Sequence, residues 1–529
     1  MRRRLGQLTA WALVAAPLVW PGAALAQAPK KGGILNFAIV ASPPSYDCHA
    51  EITFGAMQPL APHYSLLLKV DGANFPKLAG DLAESWASAA DGLSHTFKLH
   101  KGVKFHDGSP LTATDVKATY ERIIRPPSGV ISVRKSYYGD FGDIETPDEH
   151  TVVFKMKAPI AGALDLLASP FNCIYSAAKL KAGGGYPGKE VMGSGAFQFV
   201  EHVQGSHWVG KRFNGYFKPA RPHLDGFKAY FIKSTALVPG LMGGQFDAEF
   251  RFVTPPERNT LVEKLGADKV NVYEMPLLAG NIFIFNTRKK PFDDIRVRQA
   301  LSMAIDRWSG GANIGKISSL RFIGGVSRPG SAMAIPEDEL VKLPGFSKDA
   351  EKSRAEARRL LKEAGVENLE FKFLNRSGIE SYTTGGIYLI DQWRRIGVKA
   401  THEQLESKLY FEGFSSGNFD VGMEFISDYL DDPTQNFVKF LSKKVSPLGY
   451  SGHEDSKIDE LYQKQQRMLD PVERTRIVRE LDAYVLTTAY SVPYLWTQRI
   501  VVMPKKVQGW VMTPSHYLGQ DLTDVWLDQ

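Results

Sequence analysis

The stretch Phe425-Ile426-Ser427-Asp428-Tyr429-Leu430-Asp431-Asp432-Pro433 gathers the side chains best placed by type and spacing to do chemistry. Asp428, Asp431 and Asp432 repel one another unless a cation or solvent offsets them. One reading is a solvated acidic loop with Asp432 as a helix N-cap. A second is an anchor for a cationic group on a ligand. A third makes the loop the catalytic carboxylates of an exported hydrolase of peptides or glycans. Arg376 follows the expected strand Phe371–Leu374. It is either an exposed surface arginine or a ligand contact, because loops beyond the carboxyl ends of parallel strands line binding sites. Tyr46 lies in the turn-rich loop 41–47 after the expected first strand, where site residues also collect.

Other motifs carry less. His95, His100 and His106 invite a metal reading, but His95 and His100 are an odd number of residues apart on a strand and point to opposite faces. Solvated histidines are expected, with no metal. Gly413-Phe414-Ser415-Ser416-Gly417 matches the nucleophile elbow of hydrolases, yet a helix precedes it and a strand follows, the reverse of what that elbow needs. Gly193-Ser194-Gly195 lacks a third glycine and leads into a strand, which excludes a dinucleotide loop. No HExxH, phosphate loop or paired CxxC occurs. The sequence therefore assigns no catalytic residue, no cofactor and no enzymatic activity. Cys48 and Cys173 are the two cysteines, and they form either one disulfide or two buried thiols.

These residues need elements to position them. The 529 residues, 43% hydrophobic and 23% charged, describe a globular protein too long for one core. The net charge of +7 includes Arg2, Arg3 and Arg4 and gives no case for a nucleic acid partner. Those arginines, an apolar run from Trp11 to Val19 and Ala24-Leu25-Ala26 form a secretory signal peptide over 1–26, cleaved before Gln27. Gly33–Val40 reads as a strand, as does His95–His100. Thr112-x-x-Asp115 is a capping box ahead of a helix burying Val116, Tyr120 and Ile123. Strands then follow within 143–157 and up to Ile232. Ile282–Phe285 is a continuous apolar strand, and Asp293-Asp294 opens a helix through Ala304. The segment Asn281–Arg307 is expected to cross between two halves, around Phe285–Pro291. Beyond it, helices at 350–364, 387–396 and 405–411 alternate with strands at 371–374, 398–401 and 419–425, which implies a parallel sheet. Helices at 458–468 and 472–486 precede a strand over 492–502.

Two long blocks carry a family resemblance. LAESW…DGLSHTFKLHKGVKFHDGSPLTATDVKATYER and FNTRKKPFDDIRVRQALSMAIDR resemble the signatures of the extracellular solute-binding proteins of the peptide/nickel class, family 5, which deliver ligands to ABC importers. The resemblance implies an α/β fold of the periplasmic binding protein kind, with two lobes and an added subdomain on the first. Its expected divisions are 27–71, 189–287 and 491–529 for lobe I, 72–188 for the added subdomain and 288–490 for lobe II. It implies capture of a small, peptide-like ligand in the interlobe cleft of a monomeric periplasmic protein, and delivery to an ABC permease and ATPase complex at the inner membrane. A periplasmic chaperone-like peptide binder is a further alternative. In peptide-binding members a tryptophan and then an aspartate that pairs with the peptide amine occupy the acidic segment. Phe425 stands near the first position and Asp428 near the second. Counted back from Pro433, Asp428 lies one residue beyond the family spacing and Tyr429 takes its place. Asp431 is the next acid in line. In dipeptide-binding relatives an arginine near the position of Arg376 holds the ligand carboxylate.

Overall fold

The computed structural model describes residues 28–426 and 430–529. The expected signal peptide and the site candidates Asp428 and Tyr429 lie outside the described residues. The first lobe is built on a five-stranded sheet ordered Ala248–Glu249, Ile34–Ile39, Gly226–Phe231, His207–Arg212, Phe197–Val203. Ile34–Ile39 runs parallel to both neighbours, so its carboxyl end and that of Ala248–Glu249 share one edge. The strand buries Leu35, Phe37 and Ile39 against Phe227 and Phe250.

The added subdomain carries a four-stranded antiparallel sheet ordered Ala83–Ser88, Ser94–Leu99, Thr151–Met156, Phe141–Asp148. Helix Ala113–Ile124 starts at the expected capping box, where Asp115 accepts from the Thr112 amide at 2.8 Å, and it buries Val116, Tyr120 and Ile123. Cys48 and Cys173, 125 residues apart, form a disulfide that ties the segment after the first strand to this subdomain. The expectation of solvated histidines needs correcting. His95 is buried and bonds the Ser88 hydroxyl at 2.7 Å, and His106 meets the Gly195 carbonyl at 3.0 Å. Both rings join interior polar groups that would otherwise lack partners.

The second lobe has a six-stranded sheet ordered Leu320–Phe322, Ser491–Pro504, Val270–Phe285, Val421–Phe425, Glu370–Arg376, Lys399–Leu405. Only the last three strands form the expected parallel unit; Val270–Phe285 and Ser491–Pro504 are antiparallel, so the sheet is mixed. Helix Glu380–Arg394 begins well before the expected 387. Gly385 and Gly386 look like breakers in the sequence, but they are close-packing positions. A Cβ at Gly385 would lie 2.7 Å from the Met423 methyl, and one at Gly386 2.3 Å from Asn375 Nδ2.

The crossing between the lobes also lies elsewhere than expected. Val270 packs with Ile500 and Val502 in the first-lobe interior, whereas Ile282–Phe285 pack with Phe292, Val297 and Trp393 in the second. The register between Val270–Phe285 and Ser491–Pro504 shifts between Pro276 and Gly280 and again before Ile282. These paired strands therefore cross within 276–282, opposite 493–498, while Phe285 and Phe292 are buried inside the second lobe. The lobes also meet at the added subdomain: the Ala161 amide donates to the Gln466 carbonyl at 2.8 Å, and Arg467 pairs with Asp140 at 2.7 Å. Among the described residues no helix is long and apolar enough to cross a membrane.

Candidate functional site

A cavity of about 610 Å³ lies between the lobes, at the carboxyl ends of the parallel strands of both sheets. Phe54, Glu249, Arg251 and Phe252 line it from the first lobe. Arg376, Glu380, Tyr382, Phe411 and Phe425 line it from the second, and Asn281 from the crossing strand. A smaller cavity of about 240 Å³ lies in the first lobe beside Lys69 and Trp510. The larger one joins aromatic walls to charged groups from two lobes, the combination expected of a solute site.

Arg376 and Phe425 are brought together here because each is the last residue of its strand. The Arg376 Nε donates to the Ser407 hydroxyl at 2.9 Å, and its guanidinium stands 5.4 Å from the Phe411 ring centroid. Phe425 is held from behind. Lys439 sits 4.1 Å from its ring centroid and donates to its carbonyl at 2.6 Å. The buried Glu424 accepts from the Phe425 amide at 2.9 Å and from the Tyr382 hydroxyl at 2.8 Å.

The rest of the acidic segment does different work. The Asp431 carboxylate takes two bonds from Arg328, at 2.7 and 3.0 Å, and its side chain is 7% exposed. Burial pushes its pKa up, and the Arg328 charge offsets part of that rise. Asp432 caps the following helix through the Thr434 amide at 2.8 Å and pairs with the buried Arg474 at 2.9 Å. Asp431 and Asp432 are thus neither solvated nor on the cavity wall, because the half-buried Arg328 neutralises one and the buried Arg474 the other. Tyr46 is also displaced from its expected place. Its hydroxyl bonds His202 Nδ1 at 2.8 Å, its ring packs edge-on against Trp208, and it does not line the cavity.

The cavity residues that sequence reasoning missed centre on Glu249-Phe250-Arg251-Phe252. An acid that ends a short strand at a parallel sheet edge, followed by a base between two phenylalanines, is the signal that points to them. Glu249 is 3% exposed, and among the described residues neither of its oxygens has a partner at hydrogen-bond geometry. Burial pushes its carboxyl up to about 7, opposed by the charge of Arg251 and the amides beside it. The Arg251 guanidinium lies 4.5 Å from the Phe54 ring centroid and 4.7 Å from that of Phe252. His516 completes this wall with its ring edge-on to Phe54, and burial keeps its pKa well below the usual histidine value.

The glutathione-binding protein GsiB of Pectobacterium atrosepticum is 31% identical over 293 residues, 55% of this chain and 54% of that protein. GsiB of Escherichia coli is 24% identical over 470 residues, 84% of this chain and 86% of that protein. Among solved structures, DppA of Helicobacter pylori in complex with the peptide STSA superposes with a TM-score of 0.80 at 21% identity, covering 94% of this chain and 99% of that one. AppA of Bacillus subtilis in complex with a nonapeptide gives 0.79 at 22% identity, covering 95% and 100%. These structures share the two-lobed α/β fold. Nothing in the family match or these relatives supports the hydrolase or chaperone-like alternatives. The family model described as bacterial extracellular solute-binding proteins, family 5, middle region, matches residues 77–447, through the added subdomain and most of the second lobe, and the chain belongs to that family.

Proposed function

We propose that this chain is the periplasmic substrate-binding component of an ABC importer. It captures a short peptide or peptide-like solute in the interlobe cavity and hands it to the permease and ATPase complex at the inner membrane. The observation that carries this reading is a cavity whose charged and aromatic walls come from both lobes, so that a solute contacts both only when they close. Closure is then an equilibrium that the solute shifts by binding the closed form more tightly. The names of the glutathione- and peptide-binding relatives support a ligand bearing both amine and carboxylate groups.

In this proposal Arg376 holds a carboxylate and Phe425 packs against the solute. Asp428 and Tyr429 complete the second-lobe contacts, and Asp431 acts indirectly by fixing the loop on Arg328. The protein is a monomer, exported by residues 1–26, and performs no chemistry on its ligand. Residues 288–490 form the bulk of lobe II, joined by the ends of the crossing strands, and 72–188 form the added subdomain. The test is native purification from the periplasm with mass analysis of the released ligand, followed by titration of that compound. Stoichiometric binding without turnover is the expected result. A protein that cleaves the bound peptide, or that holds no small solute and binds unfolded chains instead, would overturn the reading.

A further inference from the structure

Glu249 differs from the other charged residues on the cavity wall. It is almost fully buried, and among the described residues neither carboxylate oxygen has a partner at hydrogen-bond geometry. A buried carboxylate is retained only where something offsets its charge. The cations nearby do not touch it. Arg499 directs its donors to the carbonyls of Phe250, Arg251, Thr513 and Ser515. Arg251 lies over Phe54 and Phe252, and among the described residues no ion pair reaches Glu249. The charges of both arginines and the amides of Arg251 and Phe252 draw its carboxyl pKa down, but not enough to cancel the effect of burial. Across the cavity, Glu380 Oε2 accepts from the Ser319 hydroxyl at 3.1 Å, while its Oε1 has no partner. The walls thus hold acceptors in want of donors.

We infer that Glu249 is the first lobe's anchor for an ammonium group on the bound solute and so makes the protein select solutes with a free amine. This deepens the peptide-solute reading and rests on it. The carboxylate is already buried within the first-lobe wall. An entering ammonium therefore sheds its own water but does not have to strip the acid, and preorganisation of this kind raises affinity. The second lobe supplies the carboxylate contact through Arg376, so the ligand's charges would lie across the cleft and favour closure.

The test uses two equimolar pools of random di-, tri- and tetrapeptides made without lysine, one with free N-termini and one N-acetylated. Each pool is incubated with the mature protein, and retained peptides are counted by mass spectrometry. The parent should retain free-amine peptides at least about tenfold over acetylated ones, and Glu249→Gln should reduce that ratio to within about threefold. A parent without preference, or a folded Glu249→Gln with the parent's preference, overturns the inference. Retention from neither pool overturns the peptide reading itself, a separate outcome. A measurement on the parent alone guards against a variant that fails to fold. Binding of the best-retained peptide near pH 7 should release a fraction of a proton as the carboxyl ionises against the ammonium, read by calorimetry in buffers of different ionisation enthalpy. No proton release from the parent also overturns the inference.

Discussion

Replacing Arg474 by methionine should destabilise the second lobe far more than loss of a surface charge would. Arg474 and Asp432 have side chains only 7% and 8% exposed, and Arg474 Nη2 bonds both carboxylate oxygens at 3.0 and 2.9 Å. Asp165, on the short helix Ala163–Leu167 of the added subdomain, adds a second acid. Its carboxyl is pushed up to about 7, first by burial and then by Asp432. Without Arg474 these acids face each other with no cation between them. Removing one partner of such a pair costs about 3–5 kcal/mol, against roughly 0–1 kcal/mol for an exposed pair. Asp432→Ala should fall in the same range, since it leaves the buried Arg474 charge with only the neutral Gln465 oxygen to bond and also removes a cap worth about 1 kcal/mol. In the double variant the buried charges disappear together, so its loss should fall short of the summed single losses by at least about 2 kcal/mol.

Urea unfolding followed by far-ultraviolet circular dichroism measures the global change. Hydrogen exchange on peptides from helix Pro471–Thr488 localises it, which matters because a chain with separate lobes need not unfold in one step. Single losses below about 1 kcal/mol, or additive ones, would refute the claim that this pair is a dry, coupled unit. Losses as expected would make Asp432 a structural residue and narrow the search for an amine contact within the acidic segment to Asp428.

Glu249→Gln should leave stability unchanged at low pH and raise it as pH increases. The Glu249 carboxyl is pushed from 4.5 to about 7, so its protonated form stabilises the fold below 4.5, and that contribution is lost as pH rises through about 7. The ceiling is about 3 kcal/mol. Arg499, pushed down only to about 9, keeps its charge throughout this range, and the buried His516 stays neutral. Asp165 and Asp482 are shifted in the same direction, so the informative quantity is the gap between variant and parent melting temperatures from pH 5 to 8, and a constant gap defeats the argument. Arg376→Met should weaken a bound peptide by about 2–5 kcal/mol and change little for its C-terminal amide, as checked by titration calorimetry. Asp428→Asn is the competing test for the amine contact: with Glu249 as the anchor it should change binding of a free-amine peptide by less than about 1 kcal/mol, and a loss of about 2–5 kcal/mol that spares the N-acetyl form would move the anchor to Asp428. Small-angle scattering should show a smaller radius of gyration with ligand than without, and an unchanged radius with a bound ligand would refute closure about the crossing strands.

Local signals made much of the fold legible. The capping box at Thr112, the apolar run Ile282–Phe285 and the helix opened by Asp294 each depend on neighbours a few residues away, and each forms where the sequence places it. The misjudged start of helix Glu380–Arg394 shows the limit. Gly385 and Gly386 carry intrinsic helix-breaking character, and only the approach of Met423 and Asn375 explains why glycine sits in a helix there. The crossing was misplaced for a related reason. A strand's length is not written in its apolar run, and the first half of Val270–Phe285 alternates in burial because it leaves one core before entering the next.

The site was legible only as far as topology determines it. That Arg376 and Phe425 end adjacent parallel strands follows from the order of elements, and both line the cavity. Whether an acid faces solute or protein is settled by partners far away in sequence. Arg328, 103 residues distant, takes Asp431, and Arg474 takes Asp432. Nothing within the segment 425–433 distinguishes those aspartates from a ligand anchor. Glu249 presents the opposite case. In sequence it is one acid between apolar neighbours, yet burial without a partner makes it the group on the first-lobe wall with most to gain from a cationic solute. Clustered acids drew attention because repulsion demands compensation, and the fold supplied that compensation internally to Asp431 and Asp432. The solitary acid is the one to which the described residues bring only distant arginine charge and the neighbouring amides, with no ion pair, and a ligand can supply one.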